Sequence, residues 1–445
     1  MKLVKDKVFI KLAASLAIPI ILQDMLNSSV NMADTFMIGQ LGDNEVAAVG
    51  LANQIFFIYQ LILFGITSGS AIFIGQYWGK RDKDNIHKVM GISITLSLVF
   101  ALIFSVGAFL IPEKIMSLYS QDSTVITLGC DYLSIILISY FFSAVILTIN
   151  SALRATGCPK LPMCTTCISL LLNVIFNYIL IFKLNLGVKG AALGTVFARA
   201  IEVTCQIFFM YKLKTPVAAK ITHYFKADKT FLVNFFKITI PVILNEFMWA
   251  LGTSIYNMAY KYSGTEAQAA VQISSTVQNL FIVMGTGAGF ACSIMISNAL
   301  GAGDIKKAKS YSKKFIKLSV TLSSLMGLVL ILSTNFILSF FDVTEIVKDY
   351  AYYLFLVTAF GIVLKTYNYT TIIGILRSGG DTKFCLLIDA ATVWFIGIPF
   401  AFLGSAFLGL PIYITLALVY MEEVVKFFLS TQRVLTYKWA KSIID

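Results

Sequence analysis

The amino-acid sequence predicts an all-α polytopic membrane protein, with twelve transmembrane helices in two parallel-repeat six-helix bundles around a central cleft. Three observations carry this. Hydrophobic residues make up 58% of the 445-residue chain and charged residues 13%, against about 25% charged in a soluble domain. Apolar stretches of about 20 residues or more recur, separated by short polar breaks. Marker residues of the first half return in the second at a spacing of 222 or 223. The stretches lack the period-two alternation of a barrel. With no water in lipid to satisfy backbone groups, helices remain.

The spans fall at 12–38, 46–78, 86–111, 123–153, 160–183, 189–212, 232–261, 267–299, 306–333, 345–376, 383–404 and 408–432. The first carries Pro19 and Asp34 and stops at the break around Gly39 and Gly42. It has no small-residue cleavage site and is read as a span rather than a leader. The second ends in GQYWGKRD, the fourth in LRATGCPK, and the sixth begins GVKGAALGT. In the second half the seventh carries Pro241, the eighth ends in SNALGAGD and the tenth in LRSGGDTK. Cys164 and Cys167 sit in the fifth span without His or acidic neighbours. They are read as packing residues, with no disulfide framework.

Charge gives the orientation. Of the 35 Lys and Arg residues, 26 fall on the side of the two termini and five in the opposite loops. The excess predicts an inner (plasma) membrane protein with both termini cytoplasmic. It also accounts for the net charge of +12 without a nucleic-acid partner, because the basic loops form no contiguous patch. Membrane lipid is the expected surrounding partner.

Pro19, Gly42, Val49 and Gly79 recur as Pro241, Gly264, Val271 and Gly301, each shifted by 222. Arg154, Gly157 and Lys160 recur as Arg377, Gly380 and Lys383, each shifted by 223. The expected organisation is an N-terminal six-helix lobe over 1–213, a cytoplasmic connector over 214–229, and a C-terminal lobe with a short tail over 230–445. Six spans per half is an even number, so both halves enter from the same side as parallel repeats. That geometry permits alternating access.

A charge at mid-bilayer costs roughly 2.5–3.5 kcal/mol on insertion scales, so each one is a functional candidate. Asp34, Glu246, Lys365 and Asp389 lie deep in spans. Asn173 and Asn177, four residues apart, share one helix face. At about 1.5 Å per residue, Asp34, Asn177 and Thr195 share one depth, roughly 9 Å below the outer surface. A carboxylate, amide oxygens and a hydroxyl at one level suit a hard cation such as Na+, or a proton on Asp34. The alternative is a polar knot that glues helices together. In the second half Glu246 adjoins Phe247 and Trp249. There it is read as a second cation site, an organic-cation site using charge and cation–π attraction, or a partner of Lys365. Asp389 is grouped with this second site.

The ordered set of motifs resembles the multidrug and toxic compound extrusion (MATE) family over nearly the whole chain. Pro19, Asp34, Thr35, Gly39, Leu41 and Gly42 match its opening pattern P-x(14)-D-T-x(3)-G-x-L-G. The turns after the second, fourth, eighth and tenth helices, and the start of the sixth, match in order. The resemblance implies a monomeric exporter of chemically diverse, often cationic organic compounds, driven by inward Na+ or H+, with no cofactor beyond that ion. Its N-terminal cation site maps onto Asp34, Asn173 and Thr195, with Asn150 as a further member. Asn177 departs from the branch that carries a second Asp there. Glu246 resembles an acidic residue of the seventh helix in another branch.

The alternative is a lipid-linked oligosaccharide or lipid flippase of the related superfamily, which usually has fourteen helices and a strongly cationic cavity. A major-facilitator transporter is disfavoured because GKRDKDNIHK lacks that family's second glycine and arginine pair. An enzyme is not expected. His87 and His223 are far apart in sequence, and no zinc-protease, nucleophile-elbow or phosphate-cradling motif occurs.

Overall fold

The computed structural model describes residues 2–341 and 343–444, with side chains described from residue 7 onward. The side chains of Lys2 and Lys5, counted above among the basic residues, lie outside the described residues. The described residues form twelve long helical segments. They are α1 (Lys2–Gly39), α2 (Asp43–Lys80), α3 (Lys83–Leu110) and α4 (Ser123–Ile136 continued by Ile138–Ala155). Next come α5 (Lys160–Lys183), α6 (Gly187–Lys212), α7 (Lys229–Ser263), α8 (Thr265–Gly301) and α9 (Ile305–Leu338). The last are α10 (Glu345–Gly379), α11 (Thr382–Phe407) and α12 (Ile412–Val419 and Met421–Leu435). The expected ranges match, extended by several residues at many ends where helices run on into polar capping residues.

Eleven helices among the described residues are long and apolar enough to cross a membrane. The twelfth segment falls short of that length because it is split at Tyr420, and its second part carries Glu422, Glu423 and Lys426. Two short helices, Pro112–Ser117 and Ile221–Tyr224, lie in connections that were expected to be plain loops.

Local chemistry repeats with the sequence. Asp82 and Asp304, 222 residues apart, each cap the helix that follows by accepting from a backbone N–H three residues on, Asn85 at 3.1 Å and Lys307 at 2.9 Å. Such a cap satisfies a helix-end donor that otherwise has no partner. Pro19 and Pro241 sit inside α1 and α7. Each removes a helical N–H, freeing the carbonyl four residues earlier and weakening the helix there. Gly157 and Gly380 close α4 and α10 with φ of 79° and 76°, a left-handed conformation that costs a side chain energy.

The chain forms two compact units. One comprises Leu22–Trp78 and Asp82–Thr239; the other Met1–Ile21, Gly79–Arg81 and Ile240–Asp445. The boundaries therefore fall inside α1 and α7, not in the connector. The reason is packing: Phe9, Leu16 and Ile20 join the core around Ala291, Met295, Phe315 and Trp439. The Phe9 ring meets Phe315 edge-on at 5.0 Å. The first unit has its own core around Tyr59, Leu63, Tyr140 and Ala192. A further cluster in the second unit centres on Leu330, Leu354, Phe355 and Ile362.

Candidate functional site

In the first unit the polar residues of α1, α5 and α6 converge. Asn177 Nδ2 donates to Asp34 Oδ1 at 2.6 Å and to Asn173 Oδ1 at 3.5 Å. Asn173 Nδ2 donates to Thr195 Oγ1 at 3.4 Å. Asn173 and Asn177 are buried and Asp34 is half-buried. Local backbone makes this approach possible. A Cβ on Gly194 would lie 2.1 Å from Asn177 Oδ1, so glycine lets α6 close on α5. Just after Asn177, α5 widens into a π-helical stretch, Tyr178–Lys183, a distortion often found at functional sites.

The informative atom is Asn177 Oδ1. It is buried and has no hydrogen-bond partner. A buried acceptor left unpaired costs about 1–3 kcal/mol, and this one abuts Gly194 of α6 while the N–H side of the same amide faces Asp34. The donor set there is a carboxylate, two amide oxygens and a hydroxyl, the oxygen ligands that hard cations take. Asn150 does not join them. It accepts instead from Gln206 Nε2 in a buried pair. Asn150 lies near the end of α4 and Asp34 near the opposite end of α1, so counting residues along the helices separates them where the resemblance had grouped them.

A second polar network in the same unit escaped the sequence reading. Arg154 pairs with Asp24 at 3.0 Å and donates to Gln23 Oε1 at 2.6 Å. Gln23 Nε2 donates to Thr166 Oγ1 at 3.0 Å. Thr166 donates to Glu202 at 3.0 Å, and Glu202 pairs with Arg199 at 2.8 Å. Arg199 is close enough for its charge to act on Asp34.

The second unit holds the same network with altered chemistry. Arg377 pairs with Glu246 at 2.8 Å, and the two residues are the repeat partners of Arg154 and Asp24. Asn245 Nδ2 donates to Asp389 at 3.0 Å, as its repeat partner Gln23 donates to Thr166. Asp389 faces Lys426 at 3.8 Å, and Lys426 also meets Glu422 at 3.8 Å and Glu423 at 3.6 Å. Tyr256 OH donates to Glu422, and Asn368 Nδ2 donates to Glu423 Oε2 at 2.7 Å.

This arrangement corrects the expected second site. Glu246 does not pair with Lys365, which instead donates to Gln278 Oε1 at 3.2 Å and lies 4.9 Å over the Tyr420 ring. Its carboxylate is occupied by Arg377, both residues being buried at 8% and 2% exposure. Trp249 is 46% exposed and is no part of this buried cluster. Of the four residues, Asp389 and Glu246 belong to one network, Lys365 borders it near Glu422 and Glu423 without pairing to Glu246, and Trp249 stands apart from it. The i, i+3 and i+4 spacing of Glu423, Glu422 and Lys426 was the sequence signal available for the missed part.

Comparison with known proteins fits the repeat. The MatE family model matches residues 19–179 and 241–403, two stretches whose starts are 222 apart, the repeat spacing itself. The chain belongs to the MatE family. Members of MatE are transporters, which agrees with the expectation that this chain is not an enzyme. It is 24% identical over 402 residues to "Probable multidrug resistance protein YoeA" of Bacillus subtilis (strain 168), covering 89% of this chain and 87% of that one. It is 28% identical over 278 residues to "Multidrug export protein MepA" of Staphylococcus haemolyticus (strain JCSC1435), covering 61% of each. Among solved structures, a MOP-superfamily transporter from Pyrococcus furiosus superposes with a TM-score of 0.86 at 19% identity, covering 96% of both chains. A multidrug resistance MATE family transporter in an outward-facing conformation superposes at 0.87, also at 19% identity and 96% of both. These likenesses show the MatE fold along nearly the whole chain.

Proposed function

We propose that this MatE chain exports organic compounds of the drug class from the cell in exchange for an inward flux of a small cation, Na+ or H+, that loads at Asp34. The relatives named for multidrug resistance and export support the substrate class. They do not favour the flippase alternative. The side chosen by the Lys and Arg excess supports a plasma-membrane orientation with both termini cytoplasmic.

The observation that carries the reading is the orphaned Asn177 Oδ1 beside Asp34. A proton on Asp34 would supply one O–H donor to one acceptor, whereas a cation could draw on the carboxylate, the amide oxygens and the Thr195 hydroxyl together. The donor set therefore favours Na+. Loading would draw Asp34, Asn177 and Thr195 toward one ion, pulling α1 against α5 and α6. Because Asn177 abuts the π-helical stretch of α5, repacking there is a route from ion loading to helix movement. An ion bound more tightly in one conformation than in another shifts the balance between them by that difference in affinity.

The test is ethidium efflux from proteoliposomes holding the purified chain. An imposed Na+ gradient at fixed pH should drive uphill transport. A pH gradient without Na+ should drive little. Transport driven equally well by both, or by the proton gradient alone, would move the coupling ion to H+. Transport that follows only the ethidium gradient would remove the coupling reading altogether.

A further inference from the structure

The two histidines, far apart in sequence, meet. One nitrogen of His87, one of His223 and a carboxylate oxygen of Asp84 all lie within 4.8 Å of one another. Asp84 and His87 are three residues apart in the first turn of α3 and so share a face. His223 comes from the short connector helix Ile221–Tyr224, and its ring stands edge-on to His87 at 6.4 Å.

His87 is the decisive member. It is 7% exposed. Its Nε2 lies 3.0 Å from the carbonyl oxygen of Pro216, so Nε2 carries the proton and donates. The other nitrogen, Nδ1, is then a bare lone pair, and it is buried with no partner. A histidine whose second nitrogen donates to a backbone carbonyl is the usual arrangement of a metal-ligating imidazole, because that bond fixes both tautomer and ring orientation. The surrounding backbone is clamped. Tyr224 OH donates to Val217 O at 2.8 Å, and a Cβ on Gly91 would meet Tyr224 O at 1.8 Å.

We propose that Asp84, His87 and His223 bind one divalent transition-metal ion of the zinc class, which fastens the connector to α3. Two imidazoles and one carboxylate suit zinc, nickel or iron rather than calcium or magnesium, which take all-oxygen sites. Neighbouring lysines sharpen this choice. Lys83 adds positive charge at the site, so mere attraction between charges will not hold a cation there; coordinate bonds to imidazole can. Lys88 lies over the Phe231 ring instead, 5.6 Å from its centroid. Zinc–nitrogen bonds are about 2.0–2.1 Å, so the exposed Asp84 and half-buried His223 must close in on the fixed His87. A fourth position is left for water.

The experiment uses the full chain in detergent, with any polyhistidine tag removed, an EDTA strip followed by removal of the chelator, and Cys164→Ser throughout to eliminate an exposed thiol. Zn2+ is titrated by calorimetry, and Co2+ is followed by visible absorption. The expected result is one equivalent per chain, with His223→Ala and Asp84→Asn each weakening affinity at least about tenfold. Zn2+ should also raise the unfolding temperature of the parent and leave that of His223→Ala unchanged. His223 is half-exposed and can be removed without opening the core, so a folding defect does not blur the reading. Binding well below one equivalent, or His223→Ala binding as tightly as its parent, overturns the proposal.

Discussion

Replacing Glu246 by Gln strands Arg377 inside the second unit. The pair is 2.8 Å apart, with side-chain exposures of 11% for Glu246 and 3% for Arg377. Removing one partner of a buried pair costs about 3–5 kcal/mol, chiefly because the other charge is left uncompensated. The repeat-equivalent change in the first unit, Asp24→Asn, should cost far less. Asp24 and Arg154 are 28% and 16% exposed, and Arg154 keeps its two bonds to Gln23 Oε1 at 3.2 and 2.6 Å. At roughly 2–4 °C per kcal/mol for a unit of this size, the Glu246 change should lower the apparent unfolding temperature by about 6–20 °C. With Cys130, Cys158, Cys164, Cys167 and Cys205 replaced by Ser, a thiol-reactive fluorophore reads this directly, because Cys292 and Cys385 are buried and free and label when the unit opens. Adding Arg377→Met to Glu246→Gln removes both charges and should restore much of the loss. Should Glu246→Gln and Asp24→Asn prove equally mild, or the double change cost the sum of the singles, the pair is not the buried lock described.

Three further outcomes test the first unit. Asp34→Asn keeps an acceptor for Asn177 and should fold normally, but it removes an attraction of about 7 kcal/mol for a cation at about 2.4 Å and an effective dielectric of about 20. Even a third of that survives as more than tenfold in affinity, so ion-driven ethidium efflux should fall at least tenfold; wild-type export by this variant would end the coupling reading. Gly194→Ala places a methyl 2.1 Å from Asn177 Oδ1 and should raise the Na+ concentration for half-maximal efflux about tenfold, measured over a Na+ series. An unchanged Na+ dependence would show that this oxygen contributes nothing. Asn150→Ala leaves Gln206 without its partner and should cost about 1–3 kcal/mol of stability, with Na+ dependence intact. A shift as large as that of Asp34→Asn would instead return Asn150 to the ion site.

The parts legible in the sequence were those governed by position along a helix. Asp34, Asn177 and Thr195 could be placed at one depth by counting residues, and Asn173 with Asn177 on one face by their spacing of four. The structure joins these residues by hydrogen bonds. Partners that depend on how a helix end folds back were not legible. Arg377 was counted as a basic residue of a loop, yet its side chain turns inward to Glu246, and no periodicity reports such a turn. His87 and His223 meet because the connector folds onto α3, a contact between residues 136 apart that neither spacing nor composition encodes. Asn150 shows the converse. There the residue count separated what the family resemblance grouped, and the Gln206 bond follows the count.

The two halves share a scaffold and differ in what they leave available. In each, the first helix of the half holds an arginine from the end of the fourth, Asp24 with Arg154 and Glu246 with Arg377. Past that common lock the chemistry diverges. At the 222 shift Asp34 is replaced by Tyr256, and at the 223 shift Asn173 and Asn177 are replaced by Ile396 and Phe400. The oxygen cluster is therefore absent from the second unit at the corresponding depth. Four acidic side chains of that unit, Glu246, Asp389, Glu422 and Glu423, each face Arg377 or Lys426 from the chain itself. A carboxylate already neutralised by a fixed cation gains little from a mobile one, because admitting the ion first requires uncovering the buried arginine or lysine. Asp34 differs: its hydrogen-bond partner is the neutral amide of Asn177, and the nearby Arg199 is paired with Glu202. The first unit thus keeps an oxygen cluster around Asp34, while the second puts uncharged residues at the matching positions and pairs its own carboxylates internally.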